Sequence, residues 1–237
     1  MKRNLLFSGM ALMAGSLMAA DSSPKDEITT AAKKLGDQPN YSWTATTKVP
    51  EGTPFRPGPM QGKTEKGGYT VVTTRFGENE RQTVLKHTNA AFMNRDGEWQ
   101  TLADVEGEGR GQFIAAMVRS IKPPAQQVAD LAADTKDLKK DGDVYSSDLT
   151  EEGAKKLLRF GRRGGDNEGP TISNAKASVK FWLKEGALTK YEVKVQGTVS
   201  FNGNDMDVDR TTTTEIKDVC TTKVEVPAEA KKKLEAK

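Results

Sequence analysis

Asn174-Ala175-Lys176-Ala177-Ser178-Val179-Lys180-Phe181-Trp182-Leu183-Lys184 alternates without a break. Ala175, Ala177, Val179, Phe181 and Leu183 take one side, and Asn174, Lys176, Ser178, Lys180, Trp182 and Lys184 take the other. A period of two with one apolar side predicts a long strand in a sheet that is greasy on one face and wet on the other. Glu185-Gly186 then turns the chain, and Tyr191, Val193, Val195, Val199 and Phe201 alternate with Glu192, Lys194, Gln196, Thr198 and Ser200. Asn202-Gly203 makes a second turn into a third strand, Asp205 to Val219. Three consecutive long strands joined by tight turns form an antiparallel meander.

Working back toward the amino end, Tyr41, Trp43, Ala45 and Thr47 share one face of an early strand, and Val49 to Pro59 reads as a Pro/Gly loop. Further strand candidates lie at Tyr69 to Phe76, Arg81 to His87, Ala90 to Asn94 and Glu98 to Leu102. Between the two meanders the period becomes helical: Ile114, Val118 and Ile121 fall on one stripe with Phe113 and Met117 beside them, and Pro123-Pro124 breaks the run. Ala125 to Asp134 is a second helical piece, Asp143 to Ser147 a strand, and Glu151 to Phe160 a short helix capped by Asp148 or Thr150. Gly161 to Pro170 reads as a loop, and a polar terminal helix follows Val224-Glu225-Val226-Pro227. Ile28, Ala31, Ala32 and Leu35 place an amphipathic helix behind Ser22 or Ser23 and Pro24, stopped by Gly36.

The first residues have the form of an export signal. Lys2 and Arg3 precede an apolar run from Leu5 to Met18, Ala19-Ala20 supplies small residues, and the chain turns polar at Asp21. Cleavage is expected after Ala20, leaving residues 21–237 as a single domain in the periplasm or secreted. No cysteine follows the apolar run, so a lipid-attachment signal is missing there, and Cys220, the chain's one cysteine, has no intrachain partner. Without Lys2 and Arg3, the 36 basic side chains become 34 against 33 acidic ones. Nucleic acid is not expected as a partner on that balance, because phosphate binding needs a concentrated basic face. An apolar fraction of 35% suits a sheet wetted on one face better than a doubly buried parallel sheet.

Sites of chemistry are sparse. His87, the single histidine, reads as a strand residue, and neither it nor Cys220 sits in a recognisable nucleophile motif. Asp205, Asp207 and Asp209 resemble the start of a calcium loop, but Arg210 stands where that loop requires glycine, so a solvated strand face is the better reading. Gly107 to Gly111 and Arg162 to Gly165 lack the spacing or ending of a phosphate loop; Arg110, Arg162 and Arg163 are candidates only for contact with an anionic headgroup. No metal site and no cofactor are expected.

Val179 to Leu183, Gly186-Ala187-Leu188-Thr189-Lys190-Tyr191-Glu192-Val193, and Thr213 to Val219 closing with Val224-Glu225-Val226-Pro227 resemble the LolA-like group of periplasmic lipoprotein and lipid carriers. The order of elements agrees across most of the chain: a leading helix, an early meander, a central helical insert and a closing meander. The resemblance implies an α+β fold in which a strongly curved antiparallel sheet forms an open half-barrel with helices on its concave face. It also implies acyl chains of a lipid or lipoprotein bound between the two, an envelope donor or acceptor protein, and transient contact with a membrane surface. A monomer that binds without catalysis is expected. Residues expected to line the ligand space are Val179, Phe181, Tyr191, Val193 and Val195 from strands, with Phe113, Met117 and Val118 from the cover. The alternative from the same residues is a secreted interaction module whose apolar faces form a filled core.

Overall fold

The computed structural model describes residues 22–53, 56–76, 79–105, 110–159, 170–201 and 203–235. The expected signal segment and most of the Gly161 to Pro170 loop, with Arg162 and Arg163, lie outside them.

The chain opens with helix α1 (Pro24–Gly36), whose Ser23 hydroxyl accepts from the Asp26 N–H at 3.2 Å and caps its first turn. Six strands follow as a meander: β1 (Asn40–Lys48), β2 (Met60–Glu65), β3 (Thr70–Phe76), β4 (Asn79–Lys86), β5 (Asn89–Met93) and β6 (Trp99–Thr101). Then come α2 (Leu102–Val105), α3 (Arg110–Ser120) and α4 (Pro124–Ala133). Strands β7 (Lys139–Asp141) and β8 (Val144–Asp148), helix α5 (Glu151–Leu158), the long strands β9 (Thr171–Lys184), β10 (Ala187–Phe201) and β11 (Asn204–Lys217), and α6 (Ala228–Glu235) complete the chain.

All eleven strands form one antiparallel sheet in the order β6-β5-β4-β3-β2-β1-β11-β10-β9-β8-β7. The two meanders are sewn together by β1 against β11, with Trp43 opposite Ile216 and Ala45 opposite Thr214. Strands β6 and β7 remain as edges, so the sheet is an open half-barrel and not a closed one.

Register assigns the faces. Tyr145, Phe181, Tyr191 and Thr214 lie in one row across β8 to β11, and Trp43, Gly62, Val72, Thr83 and Phe92 in a row across β1 to β5. This inner face packs against Ile28, Ala31, Ala32 and Leu35 of α1, Val128, Leu131 and Ala132 of α4, and Ala154 and Leu158 of α5. Ala115 and Val118 of α3 pack on Ala90 and Phe92, extending the cover to β5. Arg210, on the inner row of β11, donates to the Leu157 carbonyl at 3.0 Å, satisfying a carbonyl at the end of α5.

One helix takes the opposite face. Val71, Val84, Ala91 and Trp99 point outward from the early meander, and Ala230 of α6 is buried against them, with Val224, Val226 and Leu234 alongside. The terminal helix therefore covers the outer face of β3 to β6, where the alternation of those strands leaves a second apolar surface.

Two strands carry no signal in the sequence, and one local reading of it is corrected. Strand β2 follows the Pro/Gly loop although its composition, Met-Gln-Gly-Lys-Thr-Glu, is polar. Its inner positions are Gly62 and Thr64, because the Trp43 indole lies across Gly62 and fills the space a larger side chain would occupy. Strand β7 is exposed along its whole length and carries no apolar signal. His87 is not a strand residue: β4 ends at Lys86, which pairs with Asn89, and His87 takes a left-handed φ of 54° in the two-residue turn.

Candidate ligand-binding site

A pocket of about 910 Å3 opens on the inner face of the early meander, between it and helices α1, α3 and α4. Its floor is apolar. Tyr41 of β1, Leu85 and Ala90 from the β4–β5 hairpin, and Leu102 of α2 come from the sheet side, and Val118, Ile121 and Ala125 come from α3, the α3–α4 connection and α4. Sequence periodicity produces this arrangement: Tyr41, Leu85 and Ala90 share one row through Thr64 and Thr70, and Val118 faces them from the buried stripe of α3. A volume of this size lies within the range of small-molecule sites.

The rim is polar and charged. Lys33 at the end of α1, Lys66 in the β2–β3 turn, Arg119 at the end of α3 and Lys122 before α4 are the cations; Asp37 and Glu65 are the carboxylates. Asp37 is bridged by Lys33 at 2.6 Å and by Lys66 at 3.0 Å, and the two ammonium groups, Lys33 first, hold its carboxyl below the ordinary carboxylate value. Lys122 pairs with Asp130.

The four tyrosines of the chain, three on strands and Tyr69 just before β3, tie helices to the sheet. Tyr191 donates to Gln127 Oε1 of α4 at 2.5 Å, and the Tyr41 hydroxyl meets the backbone of Ala125 at the start of α4 and the Thr64 side chain. Burial pushes the pKa of both tyrosines upward, so they remain neutral. Tyr145 donates to Glu27 of α1, which Lys140 also grips at 2.7 Å. On the outer face, Tyr69 donates to Glu235 of α6 at 2.9 Å.

The eight residues singled out from the sequence divide into groups. Val118 lines the pocket. Val179, Phe181, Tyr191, Val193 and Val195 share the inner face but are buried in the packed core under α1, α4 and α5. Met117 projects outward from α3 with 47% of its surface exposed. Phe113 belongs to α3, and its side chain lies outside the described residues. Sequence reading did not single out Tyr41, Leu85, Ala90 and Leu102. Alternation shows which residues share a face, but the part of that face left open depends on where α3 and α4 come to rest.

The remaining candidates are accounted for by local contacts. Asp205, Asp207 and Asp209 lie on the outer face, where each accepts from the residue opposite it: Ser200, Thr198 and Gln196. Cys220 is exposed after β11, with Sγ 3.0 Å from Gln38 Oε1. Trp182 also faces outward, and Lys190 Nζ sits 3.8 Å above its ring. Among the described residues no helix is long and apolar enough to cross a membrane.

No family model matches the chain, and no curated protein matches it. Among solved structures it is similar to the lipoprotein LppX of Mycobacterium tuberculosis, at 9% identity and a TM-score of 0.46, over 86% of this chain and 97% of that one. It is also similar to LprF of Mycobacterium bovis, at 9% identity and a TM-score of 0.43, over 87% and 96%. A LolA superfamily protein of Nitrosomonas europaea matches at 9% identity and a TM-score of 0.35, over 86% and 96%. At such distances the function rests on the chain's own residues.

Proposed function

We propose that this chain is an exported carrier that takes up a lipid or another long apolar ligand between sheet and helices and works by binding and release, without chemistry. The observation that carries the reading is the pocket of about 910 Å3 between Tyr41, Leu85, Ala90 and Leu102 on one side and Val118, Ile121 and Ala125 of the helical cover on the other. Apolar burial drives binding at about 0.8 kcal/mol per methylene, less the cost of immobilising the ligand.

Release follows from how α4 is held. Its carboxyl end is fixed several times over: Lys25 donates to the Ala133 carbonyl, Lys156 pairs with Asp134, and Thr150 N–H bonds the Asp134 carbonyl. Its amino end has the Tyr41 and Tyr191 contacts and follows Ile121 to Pro123, which is not helical. Parting that end from α1 enlarges the pocket toward Tyr191, Val193, Val195, Val179 and Phe181. Those strand residues then join Val118 along the path of a longer chain. Delivery requires an envelope donor or acceptor and passing contact with a membrane surface.

The test is uptake of a fluorescent fatty acid by the purified protein, with native mass spectrometry for co-purifying lipid. Ala129→Trp places an indole into the pocket from an exposed position on α4, so it abolishes uptake in a protein whose circular dichroism is unchanged. A second reading, an interaction module with a filled core, draws on the sealed packing of Val179, Phe181 and Tyr191. It gains if the wild-type protein carries no lipid and takes none up.

A further inference from the structure

Four cations reach the pocket from four places in the chain: Lys33, Lys66, Arg119 and Lys122. Two carboxylates, Asp37 and Glu65, line the pocket with them and a third, Asp130, pairs with Lys122 from outside it, so cations outnumber carboxylates at the site by one, with His87, which also lines it, counted as neutral. We infer that the ligand is an amphiphile with an anionic head, its chain on the Tyr41–Leu85–Val118 floor and its carboxylate or phosphate at the Lys66–Lys122 rim. This rests on reading the pocket as a lipid site.

Asp37 demonstrates the geometry. One carboxylate already receives an ammonium group from α1 and another from the β2–β3 turn, at 2.6 and 3.0 Å, so the rim brings donors from separate elements onto a single anion. The Lys66–Asp37 and Lys122–Asp130 pairs are both about half exposed, at 54% and 48% and at 42% and 51%, and exposed pairs of this kind are worth little, so both yield readily to an incoming anion. Charge-assisted hydrogen bonds to the ligand are stronger than the neutral ones that Asn89, Gln38 or Gln126 would offer a head without charge. Helix ends do not supply the attraction: α4 presents its amino end to the pocket, but α1 and α3 present their carboxyl ends. Discrimination therefore falls to the four side-chain cations.

The experiment compares dodecanoate, dodecyl phosphate and dodecanol, which share a chain and differ in the head, by displacement of a fluorescent fatty acid at low ionic strength. At least one of the two anions binds about tenfold more tightly than dodecanol, and whichever anion leads identifies the head as carboxylate or phosphate. In Lys66→Gln/Lys122→Gln the anion-to-alcohol ratio collapses toward one; in Lys66→Arg/Lys122→Arg it returns. Lys180→Gln/Lys194→Gln, on the outer face of β9 and β10, leaves the ratio as in the wild type. Equal affinity for all three ligands, or a ratio that survives Lys66→Gln/Lys122→Gln, overturns the anionic head while leaving the lipid site standing. No binding of any of the three removes the lipid site itself, and the inference with it.

Discussion

Gly62 and Trp43 show how one missing side chain shapes a strand. A Cβ built on Gly62 would stand 2.0 Å from Trp43 Cε2, inside any permitted contact, because the indole lies across the glycine backbone. Gly62→Ala forces the indole off that surface, and overpacking of this kind costs about 1–3 kcal/mol, read as a lower urea midpoint with a changed tryptophan emission. Glu27 gives a residue-scale prediction in pH. Lys140 foremost, and then Tyr145, hold its carboxyl below the ordinary value of 4.5. A carboxyl whose folded pKa is depressed adds stability above its unfolded pKa and loses it as pH falls through the folded one. Stability of the wild type therefore drops as pH descends below 4.5, while Glu27→Gln starts lower at neutral pH and falls less steeply. Urea midpoints that run parallel from neutral pH down to acid would refute this role for Glu27.

At the scale of elements, the tyrosine contacts predict that each helix can be loosened separately. Tyr191→Phe keeps the ring in the core and removes the bond to Gln127, costing about 0.5–1.5 kcal/mol, and it speeds amide exchange in α4 more than in α1. Tyr145→Phe does the reverse, because its partner Glu27 belongs to α1. The same elements show what the sequence made legible. Strands β9 and β10 and helix α1 announced themselves because one face of each is buried and the other wet, and their apolar positions at Phe181, Val193 and Ile28 are almost wholly inaccessible, whereas β11, with Thr214 its one buried residue, was legible from the turn before it. Strand β2 was silent because its neighbour supplies the bulk at Gly62, and β7 because nothing covers it. Helix α6 could be anticipated as a helix but not placed: its contact with the sheet depends on Ala230 and Leu234, and two apolar residues among lysines do not say which face they cover. Of the pocket, Val118 was visible in a helical stripe. Tyr41, Leu85 and Ala90 look like any inner-face residues until the helices are in position.

For the whole molecule, the central question is whether the cover parts from the sheet, and the structure offers a lock. Gly36 at the end of α1 and Ala125 at the start of α4 both line the pocket, and a Cβ on Gly36 would lie 3.4 Å from the Ala125 Cβ, near the spacing of a disulfide. Gly36→Cys/Ala125→Cys, made with Cys220→Ser so that no other thiol interferes, closes a loop of nearly ninety residues. Such a cross-link stabilises the fold by roughly 4 kcal/mol if it forms without strain. If the ligand enters by parting the amino end of α4 from α1, the oxidised form takes up and releases fluorescent fatty acid far more slowly than the reduced form, and dithiothreitol restores the rates. The two forms differ only in the bond, so altered lining chemistry cannot produce the difference. Equal rates in an oxidised protein with the raised urea midpoint would place the entry route elsewhere, through the open rim between the β4–β5 turn and α3, with α4 as a fixed wall.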